Sequence, residues 1–453
     1  MSFYPEFDEV LDRLIKKAKK YDSINLSVTD LNGILRTKTI PGDVFHRVVK
    51  GEGGIGMYSG TYSIAANSDA FYPEIFLKHY MADGFLIPQD APPYENHWCA
   101  PATAANEKVL EVICDIYWKH DKSQVYNSPR HLTNKLLRQL DEQGLSIYSA
   151  MEYEFTVFES DGKTPAWRGV HAYSNIVIRK VALTVSDLKA CLKKAGIPVR
   201  SVNTEYGPGQ LEITIFPKYG ITMADDAIMF KHAVMETFLN HNFKATFMSK
   251  SDETSSPSSG HYNFSIWNKE KTKNLFYDSE AEDNLSQLAR RFISGIITHA
   301  KALTGLFDPT VNCYRRLVPH TFAPFTVSWS YEAREAFIRA KNSAENCTYL
   351  EVRAPSGSSN PYLVLSGVIA AGLDGIKRNL DIPPFEGDIT DCELLPRSLN
   401  EALNYLENDE ILVESLGEDF VDHYITLKRK LEIAKLEGMD DIEKERQLYM
   451  DLI

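Results

Sequence analysis

The chain has 453 residues, 43% of them hydrophobic and 25% charged, which are the proportions of a folded globular protein rather than a disordered or fibrous one. That length exceeds what one ordinary hydrophobic core serves, so two domains are expected. A formal net charge of −13 without any long basic run argues against nucleic acid or an anionic membrane as a partner.

From the N-terminus, Phe7, Val10, Leu11, Leu14, Ile15 and Ala18 form an apolar stripe that predicts a helix over residues 6–21. "INLSVTDLNGILRTKTIP" alternates on both sides of an Asn-Gly step and predicts a β-hairpin. Prolines at 88, 92, 93 and 101 break residues 84–118 into short extended pieces that end in "KVLEVICDIYW". Residues 1–118 therefore read as a small α+β domain and 119–453 as a larger one. The second opens on a helix with Ser128 as N-cap, Pro129 at its first position and Gly144 just past its end. Strands "SIYSAMEYEFTVF" and "LEITIF" then alternate with helices near 186–195, 223–248, 284–306 and 361–377, an α+β pattern. The serine-rich stretch 251–260 reads as a loop between a helix and a strand. Cys99, Cys114, Cys191, Cys313, Cys347 and Cys392 contain no C-x-x-C pair and are expected to be buried thiols of a cytosolic protein. "MSFYPEFDEV" lacks a basic region followed by an apolar stretch, so no leader is expected, and the longest apolar run, "YLVLSGVIAAGL", is too short to span a bilayer.

Acidic residues supply the chemistry. In "TEYGPGQLEIT" Glu205 and Glu212 flank a Gly-Pro-Gly bend, in which Pro208 fixes its own φ and Gly207 and Gly209 permit positive φ. Such a pair by itself most often faces water. "MEYEF" sets Glu152 and Glu154 on one face of a strand, with Met151, Tyr153 and Phe155 on the other, and taken alone an exposed sheet face is the simpler account of that. His261 opens a strand in "SSGHYNFSIW", where a lone histidine is more often a satisfied polar residue than a ligand. Glu351 and Arg353 share one side of "YLEVR". Together, five glutamates and a histidine on strands suit a hard divalent cation such as Mg²⁺ or Mn²⁺. Arg316, Arg334 and Arg339 lie in the stretch leading to Glu351, and arginine forks grip carboxylate or phosphate oxygens. Acids for metals and arginines for anions are the equipment of phosphoryl transfer. No G-x-x-x-x-G-K-[ST] loop is present.

"MEYEF", "GPGQLEI", "RRLVP", "RAPSGSSNPYLVLSGVIAAGLDG" and the early "TDLNGILRTKTIP" stand in the order and spacing of one family: the chain resembles glutamine synthetase of the bacterial type I branch along nearly its whole length. The resemblance implies an N-terminal β-grasp domain and a catalytic domain with a curved antiparallel sheet flanked by helices. It implies a homo-oligomer of two stacked hexameric rings with active sites between neighbours. It further implies that ATP phosphorylates the γ-carboxylate of L-glutamate and that an amine displaces the phosphate. On this reading Glu154, Glu205 and Glu212 hold the metal near glutamate, and Glu152, His261 and Glu351 the metal that bridges the ATP phosphates. Arg316 and Arg353 hold glutamate, Arg334 and Arg339 face the transferred phosphate, and Ser265 touches the nucleotide.

Three departures stand out, the first two bearing on the amine and the third on ATP and glutamate. Phe322 stands in "RRLVPHTFAPF" where the family has the glutamate that accepts a proton from ammonium. "MYSGTYSIA" lacks the acidic motif that helps form the ammonium pocket. Asn263 occupies a nucleotide-side position usually filled by histidine, and the residues that contact glutamate lie within the divergent "TSSPSSGH". The expected activity is thus an ATP-dependent ligase that joins glutamate to an apolar or aromatic amine. The alternatives are an ammonia-using glutamine synthetase and a noncatalytic protein like lengsin, which "TKTIP" and "NPYLVLSGVIAAGLDG" also resemble.

Overall fold

The computed structural model describes residues 7–51, 54–72, 74–77, 82–98, 107–119, 121–253, 255–383, 389–436 and 441–453. Cys99 and Pro101 lie outside them. The first helix runs Asp8–Ala18 and buries Leu11, Leu14, Ile15 and Ala18, with the chain turning at Lys20 and Tyr21 rather than continuing. It packs on a sheet of strands β1 (Ser23–Thr29), β2 (Leu35–Pro41), β3 (Ile55–Tyr58), β4 (Asp83–Pro88), β5 (Tyr94–Asn96) and β6 (Val109–Trp118). The order is β2-β1-β6-β4-β3, with β5 also on β6. β1 runs antiparallel to β2 and parallel to β6, the arrangement of a β-grasp.

The hairpin forms, but its connection spans the five residues 30–34 rather than two, since the last pair is Thr29↔Leu35. Asp30 closes it by accepting from the backbone N–H of Asn32 at 2.8 Å and of Ile34 at 3.0 Å. The tip docks onto the second domain. Gly33 has φ +78° there, and a Cβ on it would lie 3.3 Å from the Cα of Asn360. Asn360 donates to the Asp30 carbonyl at 3.0 Å while its own carbonyl oxygen caps the helix Pro361–Lys377.

The second sheet contains β7 (Leu145–Glu159), β8 (Val199–Thr204), β9 (Gln210–Ile215), β10 (Lys218–Tyr219), β11 (Phe243–Thr246), β12 (Gly260–Asn268), β13 (Trp329–Ser330), β14 (Ile338–Asn342) and β15 (Thr348–Val352). Its order is β13-β14-β15-β12-β7-β9-β8, with β10 and β11 also on β7, and its pairs are antiparallel apart from β13 with β14. Helices Pro129–Glu142 and Ile221–Asn240 pack on β7 from one face, and the almost wholly buried helix Pro361–Lys377 packs against both of them. Met151, Tyr153, Phe155 and Val157 alternate into that layer and pack with Phe230, Phe238 and Phe247. The same core takes in Leu31, Tyr94, Trp98 and Ile113, so the N-terminal sheet shares it while keeping a smaller core of its own around Leu26, Ile24 and Trp118.

Three sequence expectations are corrected. Of the cysteines expected to be buried, Cys114 and Cys313 are, but Cys347 and Cys392 lie exposed in short surface turns. The helix expected over 223–248 ends at Asn240, because Asn242 turns with φ +61° and Phe243–Thr246 joins β7 as a strand. The helix expected over 284–306 is two, Gln287–Thr298 and Ala300–Phe307, separated at His299, whose ring bonds Asp374 and Asp409. No helix among the described residues is long and apolar enough to cross a membrane.

Candidate active site

The face of the second sheet opposite its helices lines a cavity of about 400 Å³. Glu152, Glu154, Glu205, Glu212, His261 and Glu351 all border it, as do Asn263, Arg316, Phe322, Arg334, Arg339 and Arg353. Strand pairing explains the convergence. Glu152 faces His261 across β7 and β12, Glu154 faces Glu212 across β7 and β9, and Glu351 lies between Asn263 and Arg339 across β12, β15 and β14. Because side chains alternate along a strand, Glu152 and Glu154 turn to the cavity while their neighbours enter the core.

Ligand atoms of Glu152, His261 and Glu351 lie within 4.8 Å of one another. His261 Nδ1 is 3.3 Å from Glu152 Oε1 and 3.7 Å from Glu351 Oε1. Burial, helped by Arg353, holds the imidazole well below its usual pKa, so a neutral ring offers its lone pair. For Glu351 burial raises the pKa, but the positive charges beside it, the Arg353 and Arg339 guanidiniums among them, outweigh burial and hold it below its usual value. Two carboxylates and a neutral imidazole are a donor set that fits Mg²⁺ or Mn²⁺.

The other three acids border the same cavity less tightly. Glu154 accepts from the backbone N–H of Ser259 at 2.8 Å and from Gln210 Nε2 at 3.5 Å, and Glu205 accepts from Asn203 Nδ2 at 2.8 Å. Burial and then Glu154 push Glu205 up to about 7. Burial and then Glu152, Glu154 and Glu205 push Glu212 up as well. A bound cation reverses that mutual repulsion, so these three also fit a metal.

The bend that brings Glu205 to Glu212 is rigid for reasons that go beyond its glycine and proline content. Of its two glycines Gly209 alone has positive φ, +68°, and a Cβ there would lie 2.3 Å from the Val157 carbonyl. Gly207 serves clearance instead, with a Cβ position 2.8 Å from Gln210 Oε1, the atom that accepts from its own N–H. Gln210 also donates to the Pro257 carbonyl at 3.1 Å and to Ser258 Oγ at 3.2 Å, tying the bend to the serine-rich loop.

The arginines divide by how they are held. Arg316 is buried and donates to the carbonyls of Ala354 and Arg353, each at 2.6 Å. Arg353 donates to Glu351, to the Arg334 carbonyl at 2.7 Å and to the Phe322 carbonyl at 3.0 Å. Both are fixed in place with further N–H groups to spare. Arg339 donates to Glu351 at 3.0 Å, while its buried Nε has no hydrogen-bond partner. The exposed side chain of Arg334 makes no hydrogen bond or ion pair among the described residues and is available for an anion. Ser265 lies apart from the main cavity, in an adjoining hollow of about 160 Å³ that shares Glu152, Asn263 and Tyr349 with it, and its hydroxyl accepts from Trp267 Nε1 at 2.9 Å.

Sequence reasoning missed Lys341, Tyr173 and Tyr206, which also border the cavity. Lys341 was within reach of it, since it stands two residues past Arg339 on β14 and so shares a face with it.

Residues 126–447 match the family described as glutamine synthetase, catalytic domain. Glutamine synthetase of Thermotoga maritima strain MSB8 is 31% identical over 98% of this chain and 99% of its own length. Lengsin of Canis lupus familiaris is 28% identical over 90% of this chain and 70% of its own. Among solved structures, a GmaS/ADP complex superposes with a TM-score of 0.82 at 25% identity, covering 96% of this chain and 98% of that one. A novel glutamine synthase homolog gives a TM-score of 0.83 at 24% identity, covering 95% and 99%, which is a likeness of fold.

Proposed function

Because this chain belongs to the glutamine synthetase family and is an ATP-dependent ligase of that family, we propose that it joins the γ-carboxylate of L-glutamate to an organic amine with an apolar body rather than to ammonium. The observation that carries this is Phe322. Its ring stands half exposed at the cavity and packs on Tyr206 at 5.3 Å between centroids. Neither nearby acid of the following loop replaces the missing carboxylate: Glu332 and Glu335 do not border the cavity, and Glu335 accepts from the His320 N–H at 2.9 Å. Without that acid the mouth lacks the one carboxylate that the family resemblance assigns to taking a proton from ammonium.

The reaction makes separate demands on separate residues. Arg334 and Arg339 stabilise the charge that moves with the γ-phosphoryl group, Arg339 through the Nε left without a partner and Arg334 through a guanidinium that nothing else engages. Arg316 and Arg353, held by backbone carbonyls, orient the carboxylates of glutamate. Glu152, His261 and Glu351 would hold one divalent cation and Glu154, Glu205 and Glu212 the other; when bound, such ions neutralise phosphate charge. Asn263 and Ser265 would meet the nucleotide on the side of the adjoining hollow. Support for catalysis over a lengsin-like noncatalytic role comes from all six metal-type ligands sharing one cavity.

Within the same proposal, residues 1–118 form the β-grasp domain and 119–453 the catalytic domain. The protein assembles as two stacked rings of six, which light scattering checks, and works in the cytoplasm, where the exposed thiols of Cys347 and Cys392 stay reduced. The test of function is phosphate release from ATP with L-glutamate and Mg²⁺ across a panel of ammonium, alkylamines and arylamines. Release that depends on glutamate and is faster with an organic amine than with ammonium is expected. Equal or faster release with ammonium would make the protein a glutamine synthetase instead.

A further inference from the structure

Tyr173, Tyr206 and Phe322 are 67%, 46% and 49% exposed, and all three border the same cavity. Large exposed aromatic side chains gathered at one concavity mark a binding surface more than a solvated one. The backbone adds an independent sign. Tyr173 and Phe322 both sit in the left-handed region, at φ +57° each, where a bulky side chain is strained. Strain of this kind persists only where surrounding bonds enforce it, and it clusters at ligand clamps. Here the enforcing bonds are visible. Tyr173 N–H donates to the Thr204 carbonyl at 2.9 Å, and the Phe322 carbonyl accepts from Arg353 at 3.0 Å. Tyr206 is fixed by the Gly-Pro-Gly bend that follows it and directly succeeds Glu205. Three segments distant in sequence thus each hold a ring at one mouth, and the Tyr206 and Phe322 rings meet at an interplanar angle of 41°.

We infer that this three-ring collar is the amine subsite and that it selects a planar arylamine of the aniline class, with Tyr206 as a specificity-determining residue. The inference rests on the ligase reading above. A tilted pair of rings offers faces and edges against which a third ring packs. The proton balance points the same way. In the amide-forming step the amine nitrogen bonds to the γ-carbonyl carbon, the bond from that carbon to the phosphate oxygen breaks, and the nitrogen's proton passes to the departing phosphate. An alkylamine must first lose an additional proton, and the carboxylates that border the cavity are the ones this reading gives to the metals. An arylamine delocalises its lone pair into the ring and arrives neutral at pH 7.

The test compares kcat/KM for aniline and methylamine, with the full-length protein, Mg²⁺, ATP and L-glutamate, in wild type, Tyr206→Ala and Tyr206→Phe. Aniline is expected to be preferred by wild type, and the aniline-to-methylamine ratio to fall roughly fivefold in Tyr206→Ala, the scale of one lost ring contact. Tyr206→Phe keeps the ring and should keep the ratio. Saturation-transfer NMR of aniline on the metal-free protein gives a readout that needs no turnover, and its signal should drop in Tyr206→Ala. If methylamine is preferred, or the ratio is the same in wild type and Tyr206→Ala, the collar does not select arylamines, and the ligase reading stands without it. If no amine, ammonium included, gives glutamate-dependent phosphate release, both readings fall together.

Discussion

Glu154 and Glu212 stand directly opposite each other across the β7–β9 ladder. Like charges in that relation destabilise a sheet by about 0.2–1 kcal/mol, and Glu152 and Glu205 add to the repulsion on Glu212. On the proposed reading a cation removes this cost in the working state. Glu212→Gln is therefore expected to raise the melting temperature of the metal-free protein, by about 1–2 °C, and to diminish the further rise that Mg²⁺ produces in wild type. Calorimetry with and without Mg²⁺ measures both. A metal-free variant that melts lower than wild type would mean these acids are held by something other than a missing ion.

Arg334 and Arg339 face the same cavity in different states of engagement, and their variants should differ accordingly. Arg334 makes no hydrogen bond through its side chain, so Arg334→Ala loses nothing the resting fold uses. Turnover should fall roughly 100-fold, as for other donors that act on developing charge, with melting temperature and oligomeric mass unchanged. Arg339→Ala takes a partner from Glu351, so it should lower stability as well as rate. Glutamate-dependent phosphate release in Arg334→Ala at the wild-type rate would remove that residue from phosphoryl transfer.

His423 links the two halves of the chain. Its Nε2 hydrogen-bonds Ser63 Oγ at 2.9 Å and its Nδ1 the Tyr126 hydroxyl at 2.7 Å. Burial pulls its pKa down to about 3. A folded pKa below the unfolded value of about 6.5 means that the unfolded chain takes the proton first. The stability this residue contributes is therefore complete above pH 6.5 and is lost as pH falls toward 3, by up to about 1.4 kcal/mol per unit. In His423→Gln that loss is absent. The stability gap between wild type and variant should narrow from pH 7 to pH 5 in urea melts, and a gap that stays constant would show that the ring is not neutral in the fold.

The fold and the site are legible in the chain wherever a side chain's direction follows from local periodicity. Glu152 and Glu154 alternate with Met151, Tyr153 and Phe155, so their common face follows from the strand period alone, and the same rule places Arg339 and Lys341 together. Helix Pro361–Lys377 is readable to the residue, because Asn360 caps it and Pro361 fits its first position. Tyr173 is not legible, since it follows no repeat and a bulky residue in the left-handed region is the improbable choice. Nor is the tie from Arg353 to the Phe322 carbonyl, which spans 31 positions and joins two segments with no pattern in common. The overrun of Ile221–Asn240 to residue 248 has a similar cause: Phe243–Thr246 is apolar enough for either period, and pairing with β7 decides it.

Phe322 separates the two enzymatic readings most directly. A phenyl ring neither accepts a proton nor draws in a cation through a formal charge, so on the proposed reading the wild-type mouth disfavours ammonium, which must be held and deprotonated before it attacks. Phe322→Glu restores a carboxylate on a backbone already set by the Arg353 bond to its carbonyl, a bond that does not involve the side chain. The same change removes the ring contact with Tyr206, worth about 0.5–1.5 kcal/mol to an aromatic neighbour. Both effects act in one direction. The ratio of kcat/KM for ammonium to that for an organic amine is therefore expected to rise, measured at one pH with saturating ATP and L-glutamate, and the rise should come from gain with ammonium as well as loss with the amine. Loss with the amine alone would show that the ring matters only as a contact. A ratio that stays put would show that residue 322 takes no part in choosing the nucleophile.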